Sequence, residues 1–222
     1  MSDQISNETK LSPLQMLKGT TTRRSLLRNS FMGATAVASA TLLVTQTAGA
    51  ATKSALHLSA EDAFEEIMRD ENAHVSFLKS ALGSYARKKP TFKGLEQEDK
   101  EHFMKLAQVF ENVGVGAYLL AAPAISSKAY LAAAGSILTI EARHAGYLDA
   151  LVGSPLSPNG AFDKPIPFNT IVADVLPFIK DLNGPAPAAG NDIEILNFAL
   201  LLEYLEATFY NLNVPKFYKY AG

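Results

Sequence analysis

The chain has 222 residues, 48 per cent apolar and 19 per cent charged, which fits a folded globular protein and excludes a disordered one. It has no cysteine, so disulfides, thiolate-bound zinc, iron–sulfur clusters and thiol nucleophiles are excluded. With 20 basic and 22 acidic residues its net charge is −2, a balance that offers no electrostatic footprint for nucleic acid or an anionic membrane.

The first 50 residues read as an export signal. Thr22-Arg23-Arg24-Ser25-Leu26-Leu27-Arg28 resembles the twin-arginine signal pattern. The apolar run that follows, Phe31 to Val44, is 14 residues long and too short to span a bilayer as a helix. Ala48-Gly49-Ala50 supplies a small-x-small cleavage site. A plain secretory signal and an N-terminal anchor are the alternatives. Cutting after Ala50 leaves residues 51–222, the size of one domain, with 15 basic and 20 acidic residues and a net charge of −5. The twin-arginine resemblance implies a protein folded in the cytoplasm, often with a cofactor in place, then released to the periplasm or outside the cell. No later segment reaches the length of a membrane span, so none is expected after cleavage.

Helical periodicity dominates the rest. The first helix starts near Ser59, where Ser59 and Asp62 suggest a capping box, and ends at Gly83. Its apolar stripe is Phe64, Ile67/Met68, Val75, Leu78 and Leu82. A 12-residue connection with Pro90, residues 84–95, follows. The second helix runs from about Glu96 to Ala121, the third from Ser126 or Ser127 to Gly153. Residues 154–190 are a second long connection with seven prolines and a short helix around Phe168–Leu182 that Pro177 must interrupt or start. The fourth long helix starts at Asn191 and reaches about Asn213, before Pro215, with a stripe of Leu196, Leu200, Glu203, Ala207 and Tyr210. Four long amphipathic helices predict an all-α four-helix bundle with two long crossover connections.

Polar residues interrupt these stripes. Glu71-x-x-His74 sits in the first helix and Glu141-x-x-His144 in the third; a spacing of three puts both side chains on one face, within reach of one metal. With 13 Glu and 4 His in 222 residues, chance would give about 0.2 such motifs, and there are two. The second helix adds Glu111 and the fourth adds Glu203. Together they form the ligand set of di-iron and di-manganese carboxylate bundles. Four buried glutamates without metal would repel each other and lose hydration, a cost that two divalent ions offset. Glu111 is the expected bridge between the ions. Glu206 is a backup ligand or a group behind the ligands. Tyr118 and Tyr210, each seven residues after a ligand glutamate, are read as core packing in preference to ligand hydrogen bonding. His57 and His102 lie off the stripes and read as solvent-facing; Glu96 to Asp99 and Glu65-Glu66 read as solvated faces or helix-start charges.

Asp70-Glu71-Asn72-Ala73-His74-Val75-Ser76-Phe77-Leu78, Phe110-Glu111-Asn112-Val113-Gly114-Val115-Gly116-Ala117-Tyr118, Glu141-Ala142-Arg143-His144-Ala145 and Ile195 through Glu206 resemble the exported ferritin-like family related to desiccation-associated proteins. In that family the Leu-Glu-Tyr-Leu-Glu helix comes first; here it comes last, so the order looks circularly permuted. A 24-residue helix is about 36 Å long and a 12-residue connection stretches about 40 Å, so both long connections sit where a permuted bundle needs them. The other arrangement is a last helix that completes a neighbour's bundle in a helix-swapped homodimer. The resemblance implies two iron or manganese ions and metal ions and small oxidants as partners. It implies reaction with oxygen, peroxide or ferrous iron in stress protection, as a ferroxidase or a peroxide-decomposing oxidoreductase. The alternative is a non-catalytic, protective bundle whose metal site only stabilises the fold.

Overall fold

A computed structural model describes residues 59–218. The expected export signal and His57 lie outside the described residues. The helices are α1 (Ala60–Leu82), α2 (Lys100–Ala121), α3 (Lys128–Leu151), the short α4 (Phe168–Val175) and α5 (Asp192–Phe217).

Local sequence sets most of their ends. The Ser59 hydroxyl accepts from the Asp62 N–H while the Asp62 carboxylate reaches back to Ser59, closing the expected capping box; Gly83 ends α1 at φ 55°, a conformation that favours glycine. Ser127 caps α3 and Asn191 caps α5. Two ends differ from expectation. α2 begins at Lys100 rather than Glu96, because the Asp99 side chain caps it, accepting from the His102 N–H, while the Gln97 N–H is committed to Asn213 Oδ1 at 2.8 Å. α5 runs past Asn213 to Phe217 with Pro215 inside it. Pro215 lies on the exposed side of the last turn, while Val214 and Tyr218 are buried and hold that turn down. His102 is exposed as expected and pairs with Asp99, 2.8 Å away.

α5 packs against α1 of its own chain, and α2 against α3. α1 and α5 run antiparallel: Phe64 stacks on Tyr218 at 4.9 Å near one end, and Asn197 Nδ2 donates to the Tyr85 carbonyl near the other. α2 is antiparallel to α5 as well, since Phe103 meets Phe209 and Tyr118 meets Glu203. α1 and α2 are therefore parallel, and so are α3 and α5. The connections that join them, residues 83–99 and 152–191, must return along the bundle, which is why they are the long ones.

These two connections hold each other. Thr91–Phe92 (β1) pairs antiparallel with Ile179–Asp181 (β2), and Lys93 N–H donates to the Phe178 carbonyl at 2.9 Å. Such short strands carry too few residues for an alternating pattern, so sequence periodicity could not announce them. Pro177 marks a break: α4 stops at Val175 and a tight turn, Leu176–Phe178, leads into β2. Wrapped by these connections, α5 is buried on nearly every side, from Ile195 to Val214.

The apolar core has two parts. One gathers Phe64, Phe103, Phe110, Phe209 and Tyr210; the other gathers Leu78, Leu82, Ile137, Leu196 and Leu200. A layer of charged residues lies between them at mid-bundle. Among the described residues, no helix is long and apolar enough to cross a membrane.

Candidate metal centre

The polar layer consists of the six residues singled out from sequence. Glu71, Glu111 and Glu141 are 0 % exposed and Glu203 is 1 % exposed; His74 and His144 are buried. α1 contributes Glu71 and His74 from successive turns of one face, α3 contributes Glu141 and His144 in the same way, and α2 and α5 contribute Glu111 and Glu203.

They form two quartets. In one, Glu71, Glu111, Glu141 and His144 each present a donor atom, all within 4.8 Å of one another; in the other, Glu71, His74, Glu141 and Glu203 do so. His74 Nδ1 lies 3.4 Å from Glu71 Oε2, 3.2 Å from Glu141 Oε1 and 3.2 Å from Glu203 Oε2. His144 Nδ1 lies 3.2 Å from Glu71 Oε1 and 3.2 Å from Glu111 Oε2. Only Glu71 and Glu141 belong to both quartets. They are therefore the carboxylates placed to be shared, and the expectation that Glu111 bridges is corrected: Glu111 belongs to one quartet only. It is turned toward α5, where the Tyr210 hydroxyl donates to its Oε1 at 2.6 Å.

Tyr118 does the same for Glu203, donating its hydroxyl to Oε1. Both tyrosines, read from sequence as packing, thus do two jobs. The arrangement is near-symmetric: each of α2 and α5 carries Glu and, seven residues on, the Tyr that holds the other helix's Glu. That spacing of seven was the legible signal; the cross-pairing follows only from α2 and α5 running antiparallel.

His144 Nδ1 and Glu111 Oε2 are within hydrogen-bond distance at 3.2 Å, but most of the close approach here is not hydrogen bonding. Both oxygens of Glu71 and of Glu141, Glu203 Oε2 and His74 Nδ1 are buried with no hydrogen-bond partner. Atoms that crowd to 3.2–3.4 Å without aligning on one another are aimed at common points between them. Carboxylate oxygens with imidazole nitrogens suit iron or manganese, so the residues fit a pair of divalent ions.

Electrostatics agree. Burial, with the neighbouring carboxylates adding to it, pushes Glu141 and Glu206 well above the ordinary carboxylate range, and burial raises Glu111 and takes Glu203 up to about 7. Burial also acts on Glu71, but the flanking His144 and His74 outweigh it and hold that group down at about 2. Burial disfavours both imidazolium ions, yet the surrounding carboxylates win: His144 rises to about 11, and His74 rises as well. Positive charge is thus strongly favoured at this spot.

Three further residues shape the site. Asp70, directly before Glu71, places Oδ2 3.3 Å from His144 Nε2; at the corresponding position before Glu141 stands Ile140, so His74 has no such support. Glu206 is 3 % exposed and is the fifth buried glutamate, outside both quartets. Gly114 on α2 leaves room for it: a Cβ there would lie 2.5 Å from Glu141 Oε2 and 3.5 Å from Glu206 Oε1. On the α1–α3 side a cavity of about 170 Å³, lined by Ala63, Glu66, Ile67, Arg143, His144 and Tyr147, brings solvent to His144.

No curated protein and no solved structure matches the chain. The family model described as ferritin-like domain matches residues 28–154. That span carries Glu71, His74, Glu111, Glu141 and His144, while α5 with Glu203 lies beyond it. The match covers more than half of the 222 residues and spans five of the six residues of the buried Glu/His layer: the chain belongs to the ferritin-like domain family.

Proposed function

We propose that this protein is an exported dinuclear carboxylate protein that holds two iron or manganese ions and reacts with oxygen, peroxide or ferrous iron in stress protection. The observation that carries this reading is the pair of quartets sharing Glu71 and Glu141, two residues whose buried oxygens have no hydrogen-bond partner among the described residues. Glu111 with His144 would complete one ion's ligands and Glu203 with His74 the other's. Bound ions of this kind supply the electrons that reduce oxygen or peroxide.

The chain's own groups do the rest. Four ligand glutamates would balance the charge of two divalent ions. Tyr210 and Tyr118 orient the two unshared carboxylates. Asp70 fixes the ring of His144. The apolar layers on both sides keep water from the carboxylates, and the cavity at His144 is a route for ions and small oxidants.

The proposal includes cleavage after Ala50 and export by the twin-arginine route to the periplasm or beyond. It includes a helix order permuted relative to the desiccation-related family, with the last helix completing its own bundle. Changing Arg23 and Arg24 to lysine should leave precursor in the cytoplasm; unchanged export would reject the route.

The site is tested by reconstituting purified protein with Fe(II) or Mn(II) and measuring ions per chain, then ferrous oxidation and peroxide decay. About two ions per chain are expected. Turnover that tracks occupancy supports the oxidoreductase reading. Metal that raises the melting temperature without turnover leaves the stabilising role alone. Failure to bind either ion overturns the proposal.

A further inference from the structure

The two long connections border a second, half-open site that the metal centre does not use. Residues 85–88, residues 183–188 and the first turns of α5 line a cavity of about 530 Å³. Arg87 is 8 % exposed in its wall. Its Nε has no hydrogen-bond partner, and its Nη2 reaches only the Pro185 carbonyl, at a long 3.4 Å. Among the described residues no carboxylate pairs with it. Burial pushes this guanidinium's pKa down, the mark of a desolvated cation without an anion beside it.

The position is built, not incidental. Asn197 Oδ1 accepts from the Arg87 N–H at 2.7 Å, and Asn197 Nδ2 donates to the Tyr85 and Ile193 carbonyls, so α5 clamps the segment that carries Arg87. On the facing wall Asn183, at φ 49°, donates Nδ2 to the Lys89 carbonyl and Thr91 Oγ1. Glu194, the acid in the lining, has Oε2 committed to the Gly190 N–H at 2.7 Å.

The lining selects the anion. One buried guanidinium offers a planar fork that matches a carboxylate. Pro185 and Pro187 have no N–H, so that wall lacks the row of backbone donors a phosphate needs. Lys88, an exposed residue, adds a second cation to the lining, and the remaining surface, from Tyr85, Ala186, Ala188 and Phe198, is largely apolar. Phe198 also lines a neighbouring apolar cavity of about 230 Å³ with Ala117, Tyr118, Phe168 and Leu202.

We propose that this cavity binds an amphiphilic monocarboxylate, its carboxylate on Arg87 and its hydrocarbon body packed along Phe198 toward the apolar cavity.

Titration calorimetry on the purified protein tests this, with octanoate, acetate, octan-1-ol and inorganic phosphate as probes. Because the proposal does not rest on the metal centre, metal-free and metal-loaded protein should bind alike. Octanoate should bind about tenfold or more tighter than acetate, which lacks the body, and than octan-1-ol, which lacks the charge. Arg87→Gln should weaken octanoate by about tenfold or more and leave octan-1-ol unchanged. Octanoate no tighter than octan-1-ol on the unaltered protein would overturn the proposal, and this comparison stands even if the variant does not fold. Phosphate binding tighter than octanoate would overturn it too, in favour of an inorganic-anion site.

Discussion

Each residue of the central layer is distinguished by how many neighbours its atoms serve. Glu71 and Glu141 face both quartets, whereas Glu111 and Glu203 face one each. Glu71→Gln or Glu141→Gln should therefore cut loading of both ions, and Glu111→Gln or Glu203→Gln should cut mainly one; metal analysis per chain distinguishes the patterns. Gly114 makes a sharper case. In an exposed helix, Gly→Ala gains about 1 kcal/mol in propensity. Here the added methyl would meet Glu141 Oε2 at 2.5 Å, so Gly114→Ala should displace a shared carboxylate and lower metal loading even where the melting temperature holds. Tyr210→Phe removes the hydroxyl from a buried carboxylate and should cost about 1–3 kcal/mol, read from denaturant unfolding of the metal-free protein.

At the scale of elements, the bundle depends on what its connections do to α5. A helix buried on nearly every side needs its polar residues matched one by one, and Asn213 shows how. It is 0 % exposed, accepts from the Gln97 N–H and donates to the Leu95 and Phe209 carbonyls. Asn213→Ala should strand those groups, destabilise the protein by about 2 kcal/mol and speed hydrogen exchange at residues 95–97. The pairing of β1 with β2 has the same role on the other side of the connections, fixing two irregular segments by main-chain bonds that need no particular side chains. Gly116 lets the second connection dock on α2, where its carbonyl accepts from the Ile166 N–H at 3.1 Å.

For the molecule as a whole, the buried charge makes stability depend on pH differently with and without metal. In the metal-free protein Glu203 titrates near 7 against an ordinary 4.5, and His144 near 11 against 6.5. Both bind more protons folded than unfolded, so the stability they contribute is full below the ordinary values and is lost as pH rises through the folded ones. Glu71, held at about 2, acts oppositely, but only below about pH 4.5. The melting temperature of metal-free protein should therefore fall from pH 5 to pH 8. Metal-loaded protein should gain on it over the same range, because the ligands must shed protons to bind. Parallel melting curves with and without metal would show that the buried carboxylates do not control stability.

Much of this was legible in the chain itself. Helical periodicity, two Glu-x-x-His motifs and a glutamate in each remaining stripe were enough to name all six central residues, because a helix carries residues three apart onto one face whatever surrounds it. Caps at Ser59, Ser127 and Asn191 were equally local. What depended on neighbours was not legible. Which glutamates are shared follows from α1 and α3 facing across the layer while tyrosines draw Glu111 and Glu203 aside. Asp70 supports His144 only because α3 brings that ring to it. The strand pair and the Arg87 cavity join segments about ninety residues apart. Sequence dictates what each helix face can offer; only packing decides which offers meet, since the partner of a buried polar group is set by distance in space and not along the chain.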